Sequence, residues 1–333
     1  MKISRRTVLT TGAAAAGAMV MGMPARAQSR TILRYAHVQP ESHVTTASAQ
    51  WLADQLAEVS SADVEMQIFP GGQLGGPDEM LDSLQVGALD FAWISAAGLA
   101  QSMPEFNVFS LSYLFDSDEH FLAAMAEGSP LYKRLQEIVG ESPYGVELAG
   151  ILGGVPRNLY NNVRGVEKPS DLDGIKVRVQ SSPVEARVWS ALGASPQQLA
   201  WTEIYTGLQT GVVNGAESSI DAYLSSNFNE VAPYLSLTRH QYMVLPLLMS
   251  KRTYEKVGDH AQDLVRLAAE SGVRNQIEYQ NGSLASLRKA VERGATVSEP
   301  NVAPFREAVA DIVQGEADRY NANDILQMIA GQR

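Results

Sequence analysis

The chain has 333 residues, of which 45% are hydrophobic and 19% are charged, a composition typical of a globular protein. This length exceeds what one compact core usually supports, so we expect two domains. The absence of cysteine excludes disulfides, thiolate catalysis and thiolate metal sites, and a formal net charge of −11 argues against nucleic acid or anionic lipid as a partner.

The first 27 residues have the pattern of an export signal. In SRRTVLTTGAAAAGAMVMGMPARA, paired arginines precede an apolar run that ends in an A-x-A-like cleavage site. The paired arginines are typical of a twin-arginine signal. We expect cleavage near Ala27 and a periplasmic mature protein, whose net charge becomes −15 because residues 1–27 contain four cations and no acid. An uncleaved membrane anchor is the alternative.

The next hundred residues alternate between strand and helix patterns. TILRYAHV predicts a strand and is followed by a helix around Trp51, and VEMQIF predicts a second strand. A helix begins at Pro77, and residues 89–94 predict a third strand. The intervening FPGGQLGG has neither P-loop chemistry nor GxGxxG spacing and is interpreted as a loop. This order predicts a largely parallel α/β sheet with ligand-binding loops at its strand ends.

A second α/β unit is predicted to begin near Pro156. PEFNVFSLSYLF is predicted to be extended. Further predicted elements are a helix over 117–135, a strand over 144–148, a buried strand over 242–250, a long helix over 260–293 and a last helix over 303–319. Two α/β domains crossed by several chain segments predict a hinged clamshell that binds its ligand between the lobes.

Within the second unit, IKVRV at residues 175–179 alternates apolar and polar side chains, which places Arg178 on the polar face of a strand. A guanidinium is always charged and offers a planar fork of donors that matches a carboxylate. From this strand alone, an anion-binding role and a structural ion pair both remain open.

Five strings together carry a resemblance: AHVQPESH, IFPGGQLGGPDEMLDSLQVGALDF, MPEFNVFSLSYLF, LDGIKVRVQSSP and LGASPQQLAWTEIYTGLQTGVVNGAES. In this order the chain resembles the solute-binding proteins of tripartite ATP-independent periplasmic (TRAP) transporters, of the dicarboxylate-binding type. The resemblance implies two α/β lobes around a hinge, a long helix spanning both, and an organic acid delivered to small and large permease subunits. It implies lobe I from 28–155 and about 243–283, and lobe II from 156–242 and about 284–333.

The resemblance also implies site residues in lobe II. The arginine that contacts the ligand carboxylate in the family falls on Arg178, a second arginine falls on Arg157, and an aromatic residue that packs on the ligand falls on Trp201. In NGAESS, Ser218 replaces the asparagine common in the family, so the pocket is wider there or a water bridges. A structural ion pair or a core position is the alternative for each of these residues.

In lobe I the candidate ligand contacts are His37, Glu41, Gln73, Trp93 and Ser95, because the strand ends there open on the family's cleft. AHVQPESH also contains two histidines and a glutamate, but their irregular spacing in a loop makes a metal site a weak interpretation. We expect neither a metal nor another cofactor.

An enzyme is the weakest alternative, since the GxSxG elbow is absent and the five histidines lie in no local catalytic signature. A sensory protein that presents its ligand to a kinase is a closer rival. We expect a monomer that binds a sugar acid or hydroxy acid, while a 2-oxo acid, a dicarboxylate and an aromatic acid remain possible ligands.

Overall fold

The computed structural model describes residues 30–333, so the export signal expected at residues 1–27 lies outside the described residues. The strands are β1 Thr31–Ala36, β2 Val64–Phe69, β3 Phe91–Trp93, β4 Val146–Asn161, β5 Lys176–Val179, β6 Ser195–Gln198, β7 Gly215–Ser218, β8 Tyr234–Ser250 and β9 Thr296–Ser298. The helices are α1 Val44–Val59, α2 Pro77–Val86, α3 Ala96–Leu99, α4 Asp118–Met125, α5 Pro130–Glu141, α6 Pro183–Ala191, α7 Ile204–Thr210, α8 Ile220–Ser225, α9 Thr253–Val257, α10 Ala261–Glu292, α11 Ala303–Arg319 and α12 Asn323–Ala330. Short 3-10 helices lie at Pro104–Ser110, Pro169–Leu172, Trp201–Glu203, Phe228–Glu230 and Gly258–His260.

The described strands form one sheet in the order β2-β1-β3-β8-β4-β7-β5-β6, with β9 beside β8. β1 pairs in parallel with β2 and β3 in one half, and β5 pairs in parallel with β6 and β7 in the other. The long strands β4 and β8 run antiparallel between these two units. The two-lobed α/β fold predicted from the sequence is therefore confirmed, with the two parallel units joined through shared central strands.

β4 is longer than the predicted strand over 144–148 and continues without interruption into the second unit. Gly153 and Gly154 adopt positive φ angles of 100° and 78°, and the register against β8 shifts between Gly153 and Pro156. A side chain at Gly153 would clash with the carbonyl oxygen of Met243. The glycines thus form an irregular step inside one strand, rather than the end of a strand, because they allow the backbone to bend where β4 meets β8.

The prediction of a single helix over residues 117–135 is wrong, because the chain forms the two helices α4 and α5 there. Gly128 has a φ of 79°, and the hydroxyl of Ser129 accepts a hydrogen bond from the backbone of Tyr132 at 3.0 Å. This N-cap, followed by Pro130 in the first turn, starts a new helix. The segment predicted to be extended forms the 3-10 helix from Pro104, and α12 was not predicted.

The predicted long helix is confirmed as α10, whose 32 residues extend for about 48 Å. It packs along β4 and contacts α1 and α8. Asn275 accepts from the Gly153 backbone at 2.9 Å, and Gln276 donates to the Ile151 carbonyl at 2.6 Å, so its buried polar side chains satisfy the irregular part of β4. Within residues 30–333, no helix combines the length and the apolar character needed to cross a bilayer.

Candidate functional site

A cleft of about 690 Å³ lies between the two parallel units. This volume is in the range of small-ligand sites, which is about 300–1,000 Å³. One wall follows the carboxyl ends of β1 and β3, and the other follows the end of β5, where loops of parallel sheets commonly bind ligands. Its principal polar and aromatic side chains are Gln39, Asp78, Glu79, Trp93, Ser95, Arg157, Arg178, Gln180, Trp201 and Glu203.

Arg178 projects from β5 into the cleft and is only 4% exposed. Its Nε donates to the Leu199 carbonyl at 2.8 Å, and its guanidinium carbon lies 5.8 Å from the centre of the Trp201 ring. Among the described residues, no hydrogen-bond acceptor contacts its buried Nη1. Burial lowers the pKa of Arg178, although arginine stays protonated in proteins. The side chain therefore presents a charged and incompletely bonded fork.

Arg157, from β4, is bonded very differently. Its guanidinium donates from Nε and Nη2 to both carboxylate oxygens of Glu217, and Nη2 also donates to the Glu217 carbonyl at 3.0 Å. Burial by itself would raise the pKa of Glu217, but the charge of Arg157 holds that pKa well below its usual range. Nε2 of His240 lies 3.5 Å from the same carboxylate. The charge of Arg157 is thus compensated inside the protein.

Glu185 lies in the first turn of α6, close to both arginines. Its Oε2 accepts from the Gln180 backbone at 2.8 Å, and its buried carboxyl group lies beside the Glu217 carboxylate. Burial, together with the neighbouring Glu217 carboxylate, raises the pKa of Glu185 to about 8, against the opposing effect of the arginines. This carboxyl group is therefore mostly protonated at neutral pH.

The wall formed by β1 and β3 carries no cation among the described lining residues. Trp93 Nε1 and Gln39 Oε1 are both buried and have no hydrogen-bond partner among residues 30–333. His37 stacks on Trp93 at a centroid distance of 5.7 Å. One face of the cleft thus offers a neutral donor and a neutral acceptor, and the opposite face offers a charged fork.

Three hydrogen bonds join the two walls beside the cleft. Ser95 Oγ donates to Gln180 Oε1 at 2.6 Å, and the Gln101 side chain donates to the Ser181 carbonyl at 3.2 Å. Ser182 Oγ donates to Asn107 Oδ1 at 3.1 Å. The lobes are therefore in contact at the mouth of the cleft.

Five of the nine residues expected to bind ligand line the cleft, namely Arg157, Arg178, Trp201, Trp93 and Ser95. The other four do not line it. His37 lies behind Trp93, Ser218 is buried and donates to the Ser219 carbonyl at 3.0 Å, and Glu41 and Gln73 are exposed.

Gln39, Gln180 and Glu185 were not identified from the sequence. Glu185 follows Ser182 by three residues, which is the capping-box spacing and indicates a structural role. Its carboxyl group instead bonds the Gln180 backbone, two residues before the cap. Only the folded chain shows that this side chain points toward the arginines.

The chain resembles known proteins over most of its length. The family model of the bacterial extracellular solute-binding proteins, family 7 (DctP), matches residues 35–319. The sugar acid binding protein DctPAm from Advenella mimigardefordensis, solved in complex with galactonate, is 26% identical with a TM-score of 0.86, covering 92% of this chain and 99% of that one. A TRAP periplasmic solute-binding protein from Pseudomonas putida F1, solved with D-glucuronate, is 26% identical with a TM-score of 0.83, covering 90% and 96%. The ectoine-binding periplasmic protein TeaA from Halomonas elongata is 29% identical, covering 92% of this chain and 89% of its own.

Proposed function

Because this chain belongs to the bacterial extracellular solute-binding proteins of family 7, the binding components of TRAP transporters, we propose that it captures a hydroxylated monocarboxylic acid of the sugar-acid class. The acid binds in the cleft between the lobes, and the loaded protein delivers it to a TRAP membrane permease. The proposal rests on the chemistry of the two cleft walls.

The observation that carries the proposal is the free fork of Arg178. Its Nη1 is buried in the cleft with no acceptor among the described residues, whereas the charge of Arg157 is compensated by Glu217. A ligand carboxylate would supply the missing acceptor in a charge-assisted bond. No third arginine or lysine is found among the lining residues that the structure describes, so the cleft favours one carboxylate over two.

The wall formed by β1 and β3 indicates the chemistry of the rest of the ligand. A hydroxyl group both donates and accepts, so hydroxyls would satisfy Trp93 Nε1 and Gln39 Oε1, whose burial without a partner is costly. Trp93 and Trp201 lie on opposite walls and offer apolar surface to the carbon skeleton. The bound galactonate and D-glucuronate of the two solved relatives support this ligand class.

The candidate contacts fall into two groups in this proposal. The residues in direct contact with the acid are Arg178, Arg157, Trp201, Trp93 and Ser95. His37 supports Trp93 from behind, Ser218 is buried outside the cleft without touching the acid, and Glu41 and Gln73 shape the outer rim.

The remaining parts of the proposal concern the whole protein. We propose a monomer that is cleaved near Ala27, acts in the periplasm and releases its ligand chemically unchanged. Lobe I comprises 28–155 and about 243–283, and lobe II comprises 156–242 and about 284–333.

A zwitterion such as ectoine is the second candidate. It carries one carboxylate and one delocalised cation, and the exposed Asp78 lines the cleft. The carboxylates of Glu79 and Glu203 are already bonded to the Gly76 and Ala200 backbones at 3.0 and 3.2 Å. Of the acids among the described lining residues, Asp78 is the one without such a hydrogen bond, which favours the sugar acid.

The test is a thermal-shift screen followed by calorimetry with D-galactonate, D-glucuronate, D-galactose, succinate and ectoine. A bound acid at a hundredfold excess over its dissociation constant stabilises the protein by about 2.7 kcal/mol. We expect D-galactonate or D-glucuronate to raise the melting temperature most. A response confined to D-galactose would refute the role of the arginine fork, and a response confined to ectoine would favour the second candidate.

A further inference from the structure

A cluster of buried charged groups includes Arg178, which lines the ligand cleft. It contains the guanidinium groups of Arg157 and Arg178, the carboxyl groups of Glu185 and Glu217, and the imidazole of His240. Each of these residues is almost completely buried. A change of one charge in this cluster therefore acts on the ligand site with little screening by water.

We propose that Glu185 couples acid capture to a proton: the cleft binds a carboxylate while the Glu185 carboxyl group is protonated and loses affinity when that group ionises. This inference rests on the proposed function, because it requires an anionic ligand at Arg178. It assigns Glu185 a positioning role through the charge of Arg178, without direct contact with the ligand.

The charge count of the cluster gives the reason. With Glu185 protonated and His240 neutral, two guanidinium groups face one carboxylate, so the cluster has a charge of +1 and a bound acid brings it to zero. With Glu185 ionised the cluster is already neutral, and a bound acid would leave an uncompensated negative charge in a buried site. Burying an unpaired charge is costly, so the acid and the ionised Glu185 compete for the same fork.

The geometry holds the Glu185 carboxyl group in position for this competition. Gln180 donates its backbone N–H to Oε2 at 2.8 Å, and the carboxyl group lies beside the Glu217 carboxylate, which favours its protonated form. Gln180 also lines the cleft and accepts the hydroxyl of Ser95 from the opposite wall. The carboxyl group is thus fixed to a segment that contributes to the ligand site.

Among the described residues, the cations that act on Glu185 are Arg157 and Arg178, and Arg157 is already paired with Glu217. On β4, burial raises the pKa of Tyr160, and on β8, burial lowers the pKa of His240, so both are neutral. On α6 itself, Arg187 is paired with Glu316 of α11.

Two further neighbouring elements also lack a free charge toward Glu185. On the 3-10 helix that contacts α6, the negative charge of Glu105 raises the pKa of Arg134, and Glu105 is not among the charges that shift the pKa of Glu185. The strand β6, which also packs on α6, has the sequence SPQQ and carries no charge. Burial and the Glu217 carboxylate raise the pKa of Glu185 to about 8, so the ionisation of this group can be followed between pH 6.5 and 9.0.

The experiment is isothermal titration of D-galactonate and D-glucuronate into the full mature protein at pH 6.5 and 9.0. Wild type is compared with Glu185→Gln, which cannot ionise, and with Glu58→Gln, which removes the same charge from an exposed position of α1. We expect the dissociation constants of wild type and E58Q to rise about tenfold at pH 9.0, one pH unit above the pKa of Glu185. Within E185Q the two values should differ by less than threefold.

The enthalpy of binding, measured at pH 9.0 in two buffers of different ionisation enthalpy, provides a second readout. We expect wild type to take up about one proton per bound acid and E185Q to take up none. Equal wild-type affinities at the two pH values, or the same loss in E185Q, would overturn the inference. If E185Q does not fold, the absence of proton uptake by wild type overturns it. Failure of both acids to bind at either pH would instead refute the proposed function.

Discussion

Replacing Arg178 by methionine separates a ligand-binding arginine from a structural one. Methionine keeps an unbranched apolar stem beside Trp201 but removes the guanidinium group and its charge. Loss of one partner from a buried charge pair costs about 2–5 kcal/mol of binding energy, so acid affinity should fall at least about thirtyfold. The fold should lose little, because Arg178 forms one bond to the Leu199 carbonyl and no ion pair among the described residues. We expect the free energy of unfolding without acid to stay within about 1 kcal/mol of wild type, or to rise.

The matched control is Arg157→Met, which leaves the buried Glu217 carboxylate without its partner. That variant should lose about 3–5 kcal/mol of stability, because an uncompensated buried charge remains. Urea unfolding in acid-free buffer and calorimetry with D-galactonate measure the two quantities separately. The reasoning is refuted if Arg178→Met loses as much stability as Arg157→Met while acid affinity is retained.

Three further variants test the framework around the cleft. Glu217→Gln should destabilise the protein by about 3–5 kcal/mol in urea unfolding, because it leaves Arg157 as an unpaired buried cation; a loss below 1 kcal/mol would contradict the pairing. Between about pH 4.5 and 8, Glu185 keeps its proton in the folded protein but has lost it in the unfolded chain. In acid-free buffer the free energy of unfolding of wild type should therefore fall with rising pH in this window, by up to about 1.4 kcal/mol per pH unit relative to Glu185→Gln. Parallel curves of stability against pH for the two proteins would contradict this. Gly153→Ala should cost about 2–5 kcal/mol, because its φ is positive and its side chain would meet the Met243 carbonyl, and a neutral effect would show that β4 can shift locally.

The sequence predicts the order of strands and helices better than it predicts which side chains bond to one another in the cleft. Periodicity of apolar residues identified α10, and the alternation of strands and helices identified both parallel units, because these patterns reflect local geometry. The same reasoning ended β4 at its glycines, since it cannot know that a helix 120 residues later supplies Asn275 to support the irregular step. Long-range hydrogen bonds of this kind leave no periodic signal.

The same contrast between local pattern and long-range contact applies to the candidate site. Alternation placed Arg178 on the polar face of its strand, but it does not say what covers that face. In the folded chain Arg178 is buried beside Trp201, with Glu185 brought close by the first turn of the next helix. Arg157 and Glu217 are 60 residues apart and pair only because β4 and β7 are neighbours in the sheet. The order of the strands in the sheet therefore decides that Arg157 is paired and that Arg178 keeps a guanidinium group free for the ligand.

The central position of β8 has a consequence for synthesis on the ribosome. β3 pairs with the far end of β8, where Phe91 lies opposite Met249, and β4 pairs with almost the whole length of the same strand. Strands β1 to β4 therefore cannot complete their sheet until β8 has left the ribosomal tunnel. Both β3 and β4 wait for β8 as their neighbour, so the nascent protein exposes unfinished sheet edges for much of its translation. We therefore expect the two lobes to be completed together, late in synthesis, with the ligand cleft forming at the same step.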